Sequence, residues 1–209
     1  TGGGLITAIA ASESEQGVVY YGTSNRNIFR LDNAHVANQV AEKLISGGIT
    51  VGAYTSCIAI DPNDADKVIV VYSNYNTISL WYTEDAGANW KPIEGNLRGS
   101  ADPSLPDQFY YISDGPSVRW AEIIPTETGN RYFIGTSVGL FSTNILEGDS
   151  TVWVQEGATS VGNVVVDMLD FRHSDKMLIV GTHGNGIFAT QVIKNFLSEE
   201  LNDARSEHS

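Results

Sequence analysis

Between residues 107 and 122 the chain gathers Asp107, Tyr110, Tyr111, Asp114, Arg119 and Glu122, side chains suited to acid–base work and to holding a carboxylate. A guanidinium grips a carboxylate through paired hydrogen bonds, and a tyrosine beside a glutamate can act as a nucleophile. Further guanidinium groups would strengthen that grip. Arg26, Arg98, Arg119 and Arg172 are the chief candidates, and they are widely scattered. A second chemistry would set two carboxylates across a cleft, with Asp114 or Asp167 as one member. The partner acid is not identifiable in the chain, so the simpler reading of each is a solvated loop carboxylate. Asp61-Pro62-Asn63-Asp64-Ala65-Asp66 offers the hard oxygen ligands that calcium favours, but it lacks the glycine and distal glutamate of a 12-residue calcium loop. It reads better as a turn between two strands. His183 has no cysteine or second histidine close by and reads as a turn histidine. The expectation is no catalytic residue, no metal and no cofactor.

The elements that position these residues repeat. Four very apolar strands, Val18–Ser24, Val68–Ser73, Arg131–Ser137 and Met177–His183, mark four units, and three of them close on Gly-Thr. Each is followed by an apolar pair: Ile28-Phe29, Leu80-Trp81, Leu140-Phe141 and Ile187-Phe188. Each is preceded by another strand: Ile6–Ala11, Cys57–Ile60, Trp120–Ile124 and Val165–Leu169. Fourth strands are expected at Ala41–Ser46, Trp90–Glu94 and Val152–Glu156, with none after Ile187–Val192. The spacing from Gly135 to Gly181 is 46 residues, and 113 residues span the two repeats from Gly22 to Gly135. A period near 50 with insertions is that of a propeller blade. Strands that are apolar on both faces are sandwiched between sheets, as inner blade strands are. The fold class is therefore all-β, a β-propeller of four-stranded antiparallel sheets. About four blades are visible (about 5–50, 54–98, 118–157 and 164–192), the last incomplete. A polar tail, 193–209, carries a short expected helix at Asn195–Ala204. The strand that completes the last blade, and further blades of a larger ring, are expected upstream of Thr1 or on another chain.

One segment, Thr83-Glu84-Asp85-Ala86-Gly87-Ala88-Asn89-Trp90, matches the pattern Ser/Thr-x-Asp-x-Gly-x-x-Trp at all four defining positions, Thr83, Asp85, Gly87 and Trp90. Here the sequence resembles the Asp-box (BNR, sialidase-type and sortilin-like) repeat propellers. In that motif Asp85 would accept backbone N–H groups across a hairpin, Gly87 would take a positive φ, and Trp90 would anchor the turn. The other units depart from the pattern, with Asp32-Asn33-Ala34 in the first and Ser142-Thr143-Asn144, Gly148-Asp149-Ser150 and Trp153 in the third. Residues 140–188, with Gly181-Thr182-His183-Gly184-Asn185-Gly186 among them, look like the end of large secreted propellers of Bacteroidetes bacteria, often exported by the type IX route. The resemblance implies a secreted or cell-surface location in a Gram-negative bacterium.

Composition narrows the partners. The 209 residues carry a net charge of −13 with no Lys/Arg cluster, which excludes a phosphate-backbone partner as the leading reading. No apolar run approaches the ~20 residues of a membrane span. The single cysteine, Cys57, lies in an apolar stretch and reads as buried. In a propeller, the loops joining second to third strands and blade to blade share one face, and Tyr75, Phe109, Tyr110, Tyr111, Asp114, Arg119 and His183 are placed there as the candidate binding face. The expected role is noncatalytic contact with a protein or glycan. The alternative is a fragment of a glycoside hydrolase, of the xyloglucanase or sialidase kind, completed by other blades. A sortilin-like peptide receptor is disfavoured because the tail has no cysteine.

Overall fold

A computed structural model describes residues 4–45, 53–99 and 113–192. These form fifteen strands in four antiparallel sheets, each taken up in chain order. Blade 1 contains β1 (Ile6–Ala11), β2 (Val19–Thr23), β3 (Ile28–Leu31) and β4 (Glu42–Ile45). Blade 2 contains β5 (Tyr54–Asp61), β6 (Asp64–Ser73), β7 (Leu80–Thr83) and β8 (Lys91–Pro92). Blade 3 contains β9 (Val118–Thr126), β10 (Gly129–Thr136), β11 (Gly139–Thr143) and β12 (Val154–Glu156). Blade 4 has three strands among the described residues: β13 (Val166–Arg172), β14 (Met177–Thr182) and β15 (Ile187–Gln191). The expected tail helix and part of the insertion after Gly99 lie outside the described residues, as do Asp107, Phe109, Tyr110 and Tyr111. Among the described residues no helix is long and apolar enough to cross a membrane.

The first strands β1, β5, β9 and β13 stand side by side, so the sheets are arranged as propeller blades around them. Val68, Ile69, Val70, Val71 and Tyr72 of β6 are all fully buried, because one face meets blade 1 and the other blade 3. This is why the strand shows no polar alternation. Three apolar cores fill the spaces between blades 1 and 2, 2 and 3, and 3 and 4. No such core joins blade 4 to blade 1 among the described residues, and Ile9 of β1, Met168 of β13 and Ile187 of β15 are exposed. Among the described residues, His173 Nε2 of blade 4 lies 3.5 Å from Glu13 Oε2 of blade 1, at the two ends of the arc.

The Gly-Thr signature has a packing cause. A Cβ on Gly22 would stand 2.3 Å from Thr55 Cγ2 of the next blade, and one on Gly135 would stand 2.7 Å from the carbonyl oxygen of Val166. Only a residue without a side chain lets the neighbouring first strand approach so closely.

Candidate functional site

All four first strands carry the same irregularity. The pairing of β1 with β2 skips Thr7, that of β5 with β6 skips Ser56, that of β9 with β10 skips Arg119, and that of β13 with β14 skips Asp167. An extra residue in one strand re-aims its side chain and sharpens the local twist. Thr7, Ser56, Arg119 and Asp167 thus occupy equivalent positions in successive blades, at the end of the first strands where the β2–β3, β6–β7, β10–β11 and β14–β15 connections lie. The Ser56 hydroxyl donates to the Arg119 carbonyl oxygen at 3.0 Å, joining two of these positions across a blade boundary. A cavity of about 330 Å³ opens between β1, β5 and Trp120 of β9, with Thr7 and Ser56 in its wall.

Of the residues singled out in the sequence, Arg119 and Asp167 fall on this repeated position. His183, on the β14–β15 turn, places Nδ1 3.4 Å from Asp167 Oδ2, and its N–H donates to the Val165 carbonyl at 2.9 Å. Arg119 Nε is buried and has no hydrogen-bond partner among the described residues. Tyr75 is 56% exposed on the β6–β7 turn, where its N–H donates to Asn74 Oδ1 at 2.8 Å. Asp114 is exposed beside Gly99. Of the arginines, Arg98 reaches Asp149 Oδ1 at 3.4 Å. Arg172 is at the opposite end of its blade, bound to Asp175 through contacts of 2.6 and 2.9 Å.

Thr7 and Ser56 were not legible as site residues, although aligned first strands show a polar residue at that place each time: Ile6-Thr7-Ala8, Thr55-Ser56-Cys57, Val118-Arg119-Trp120 and Val166-Asp167-Met168. Glu94 was missed as well. It is 2% exposed, and its Oε1 accepts the backbone N–H of Ser79, just before β7. Burial pushes its carboxyl up to about 7, against the Ser79 N–H, the Ser113 hydroxyl and the Arg98 charge. Glu122, further along β9, is pushed up to about 8 by burial, then by Asp170 and Glu13. Burial also raises the Cys57 thiol to about 12, so this buried sulfur is no nucleophile at neutral pH.

The carboxylates of the Asp61–Asp66 turn are directed to separate partners. Asp61 accepts from Asn63 N–H and from the Asn130 side chain, Asp64 from Lys67 at 2.9 Å, and Asp66 from Arg30 at 2.7 Å. On the same side as this turn lies the β7–β8 hairpin. Thr83 Oγ1 donates to Asp85 Oδ1 at 2.8 Å and accepts the Gly87 N–H at 2.9 Å. Asp85 Oδ1 accepts the Asn89 N–H at 2.8 Å, and its Oδ2 accepts the Asn89 side-chain amide at 2.7 Å. These bonds, the Asn89 amide foremost, hold the Asp85 carboxyl below the usual carboxylate range. Gly87 takes a φ of 93°, and its α-carbon faces Leu44 of blade 1. Half-buried Trp90 donates its indole N–H to the Gly87 carbonyl at 2.9 Å and packs on the core between blades 1 and 2. Blade 3 turns differently, with a 3-10 turn at Gly148–Ser150 and Trp153 donating to the Ile93 carbonyl at 2.8 Å.

No family model matches the chain, and no curated protein matches it. Solved structures do. A GH74 enzyme of Niastella koreensis aligns with a TM-score of 0.58 at 18% identity, over 90% of this chain and 28% of that enzyme. The computationally designed Ika4 protein aligns with a TM-score of 0.54 at 11% identity, over 91% of this chain and 93% of that one. The chain spans little more than a quarter of the GH74 enzyme's length, and what the two likenesses share with it is the blade architecture: the chain has a β-propeller-like fold.

Proposed function

We propose that this chain is a noncatalytic binding segment of a β-propeller, from a secreted or cell-surface bacterial protein, whose loop face holds a protein or glycan ligand. The observation that carries the reading is the fourfold bulge. It delivers one polar side chain per blade, Thr7, Ser56, Arg119 and Asp167, to the same end of the first strands. Tyr75 and His183 stand on loops at that end, and exposed aromatic and charged side chains are the usual anchors of an interface. Scaffold chemistry lies at the other end. The bonds made by Thr83, Asp85, Gly87 and Trp90 suit an Asp-box hairpin, a folding device with no part in ligand contact.

Further blades, from the same polypeptide or another, complete the ring in this reading, entering between blades 4 and 1 in place of the contact of His173 with Glu13. Its support is the exposure of Ile9, Met168 and Ile187 at the two ends of the arc. Gly181 adds to it: among the described residues, a Cβ on this glycine, equivalent to Gly22 and Gly135, would meet only its own blade's Met168 within 4 Å.

A glycan array probed with the wild-type chain and with Arg119→Ala, Asp167→Ala and Tyr75→Ala variants tests the assignment, with mass spectrometry of the bound glycans. Binding that these variants lose supports the loop face. Cleaved glycans would favour the alternative, a glycoside hydrolase segment. A glycan that the three variants bind as well as the wild type would sink the site.

A further inference from the structure

We propose that a second copy of this chain completes the ring, the open face of blade 4 in each copy seating the open face of blade 1 in the other. The inference rests on the reading that further blades enter between blades 4 and 1, and it names them.

The two open faces are the two halves of an interface that the chain builds three times within itself. The pairing registers align the blades, and Ile9 of β1 stands where Ile58, Ala121 and Leu169 stand on β5, β9 and β13. Those three are at most 7% exposed, each in the core shared with the preceding blade, whereas Ile9 is 70% exposed. On the opposite face, Ile187 of β15 stands where Ile28, Leu80 and Leu140 stand on β3, β7 and β11. Those are at most 4% exposed, each in the core shared with the following blade, whereas Ile187 is 77% exposed. Met168, 54% exposed, occupies the place of Cys57, whose thiol donates to the Ala121 carbonyl of the following blade at 3.5 Å.

The glycine seat repeats the pattern. Gly22 and Gly135 make room for Thr55 and Val166 of the following blades, and both of those residues are fully buried. Among the described residues nothing from a following blade fills that room at Gly181. Ile6, the β1 residue equivalent to Thr55 and Val166, is 53% exposed. Each contact that blade 4 lacks therefore has its counterpart on blade 1 of the same chain, facing the other way. Two different faces that fit each other make a head-to-tail contact, which forms a closed ring when the rotation per copy returns to its start. Two arcs of four blades give eight, inside the range of about 4–8 found in propellers. The second copy enters in place of the His173–Glu13 contact.

Size-exclusion chromatography with light scattering, on the wild-type chain at about 0.1 mM and with salt near 0.15 M to screen its net charge of −13, should give twice the mass of one chain. Ile9→Asp and Ile187→Asp change side chains that are exposed in a single copy, so the fold is kept. Each should weaken association more than about a hundredfold by burying an unpaired charge. Gly181→Ala, which meets no obstacle within one chain, should weaken it roughly tenfold by overpacking the seat. Oxidising a mixture of Ile9→Cys and Met168→Cys chains should yield a disulfide between the two variants, and neither variant alone should form one. A monomeric wild type, a dimer that only one of the two Asp variants breaks, or a disulfide within a single variant's pairs overturns the head-to-tail ring. A monomer leaves the loop-face reading to the glycan array, and a dimer whose array binding ignores the loop variants sinks that reading while the ring stands.

Discussion

Gly135 of β10 and Val166 of β13 meet backbone to backbone: a Cβ on the glycine would stand 2.7 Å from the valine carbonyl oxygen and 2.8 Å from its Cγ1. Blade 3 therefore seats blade 4 through a missing side chain. Gly135→Ala should destabilise by roughly 1–3 kcal/mol, the usual cost of overpacking. Gly181→Ala, whose nearest neighbour would be 3.6 Å away, should fall within about 0.5 kcal/mol of the wild type. Urea unfolding of both variants checks the contrast, and equal losses would contradict it.

The hairpin at 83–90 yields a paired test. Thr83 is 1% exposed, and its hydroxyl serves Asp85 and Gly87 together. Thr83→Val leaves the Gly87 N–H without its partner and should cost about 1–3 kcal/mol. Asp85→Ala should lower the melting temperature at neutral pH. Because the Asp85 carboxyl is held below its ordinary value, its contribution is present above that value and fades as pH falls through the folded one. The two melting temperatures should therefore converge in acid.

Glu122 should make the fold less stable as pH rises. Its folded value is near 8 against an ordinary 4.5, so the native state binds the extra proton between those limits and stability declines across them. Glu122→Gln should flatten that part of the stability–pH curve and raise stability at pH 8 by roughly 1–3 kcal/mol, the side chain being only part-buried. Denaturant titrations at pH 5 and pH 8 measure it. An unchanged slope would show that another group governs this range.

Trp153 joins blade 3 to blade 2. It is 2% exposed, its indole N–H reaches the Ile93 carbonyl at 2.8 Å, and its backbone exchanges two hydrogen bonds with the Asn96 side chain. Trp153→Phe should cost about 1–3 kcal/mol through the orphaned carbonyl, and Trp153→Ala about 3–5 kcal/mol through the cavity as well. Thermal and urea unfolding should rank them in that order.

The strands were legible because each has one job repeated four times. Apolar runs such as Val68–Val71 announce burial on both faces, and the Gly-Thr ends mark where one blade touches the next. The bulges were not legible by periodicity, since an inserted residue breaks the alternation on which such reading depends. Arg119 and Asp167 stand out in the sequence as charged groups that could grip a carboxylate or pair across a cleft. Thr7 and Ser56, at the same position, lack the charge that draws attention. Glu94 escaped for a different reason. Just past an edge strand a glutamate reads as solvated, whereas the fold buries this one beside Ser79 and Ser113. The aromatic residues 109–111 lie outside the described residues.

Three cores among four blades also grade the molecule. Blades 2 and 3 are each gripped from both sides, whereas blades 1 and 4 are gripped from one. In such a row stability is shared between neighbours, and opening spreads inward from the ends. The slowest-exchanging amides should therefore belong to β6 and β10, and the outermost of the described blades should fray first. The bulge position is therefore stiffest at Ser56 and Arg119 and most yielding at Thr7 and Asp167, so a ligand spanning all four would lock down the two weakest sheets as it bound.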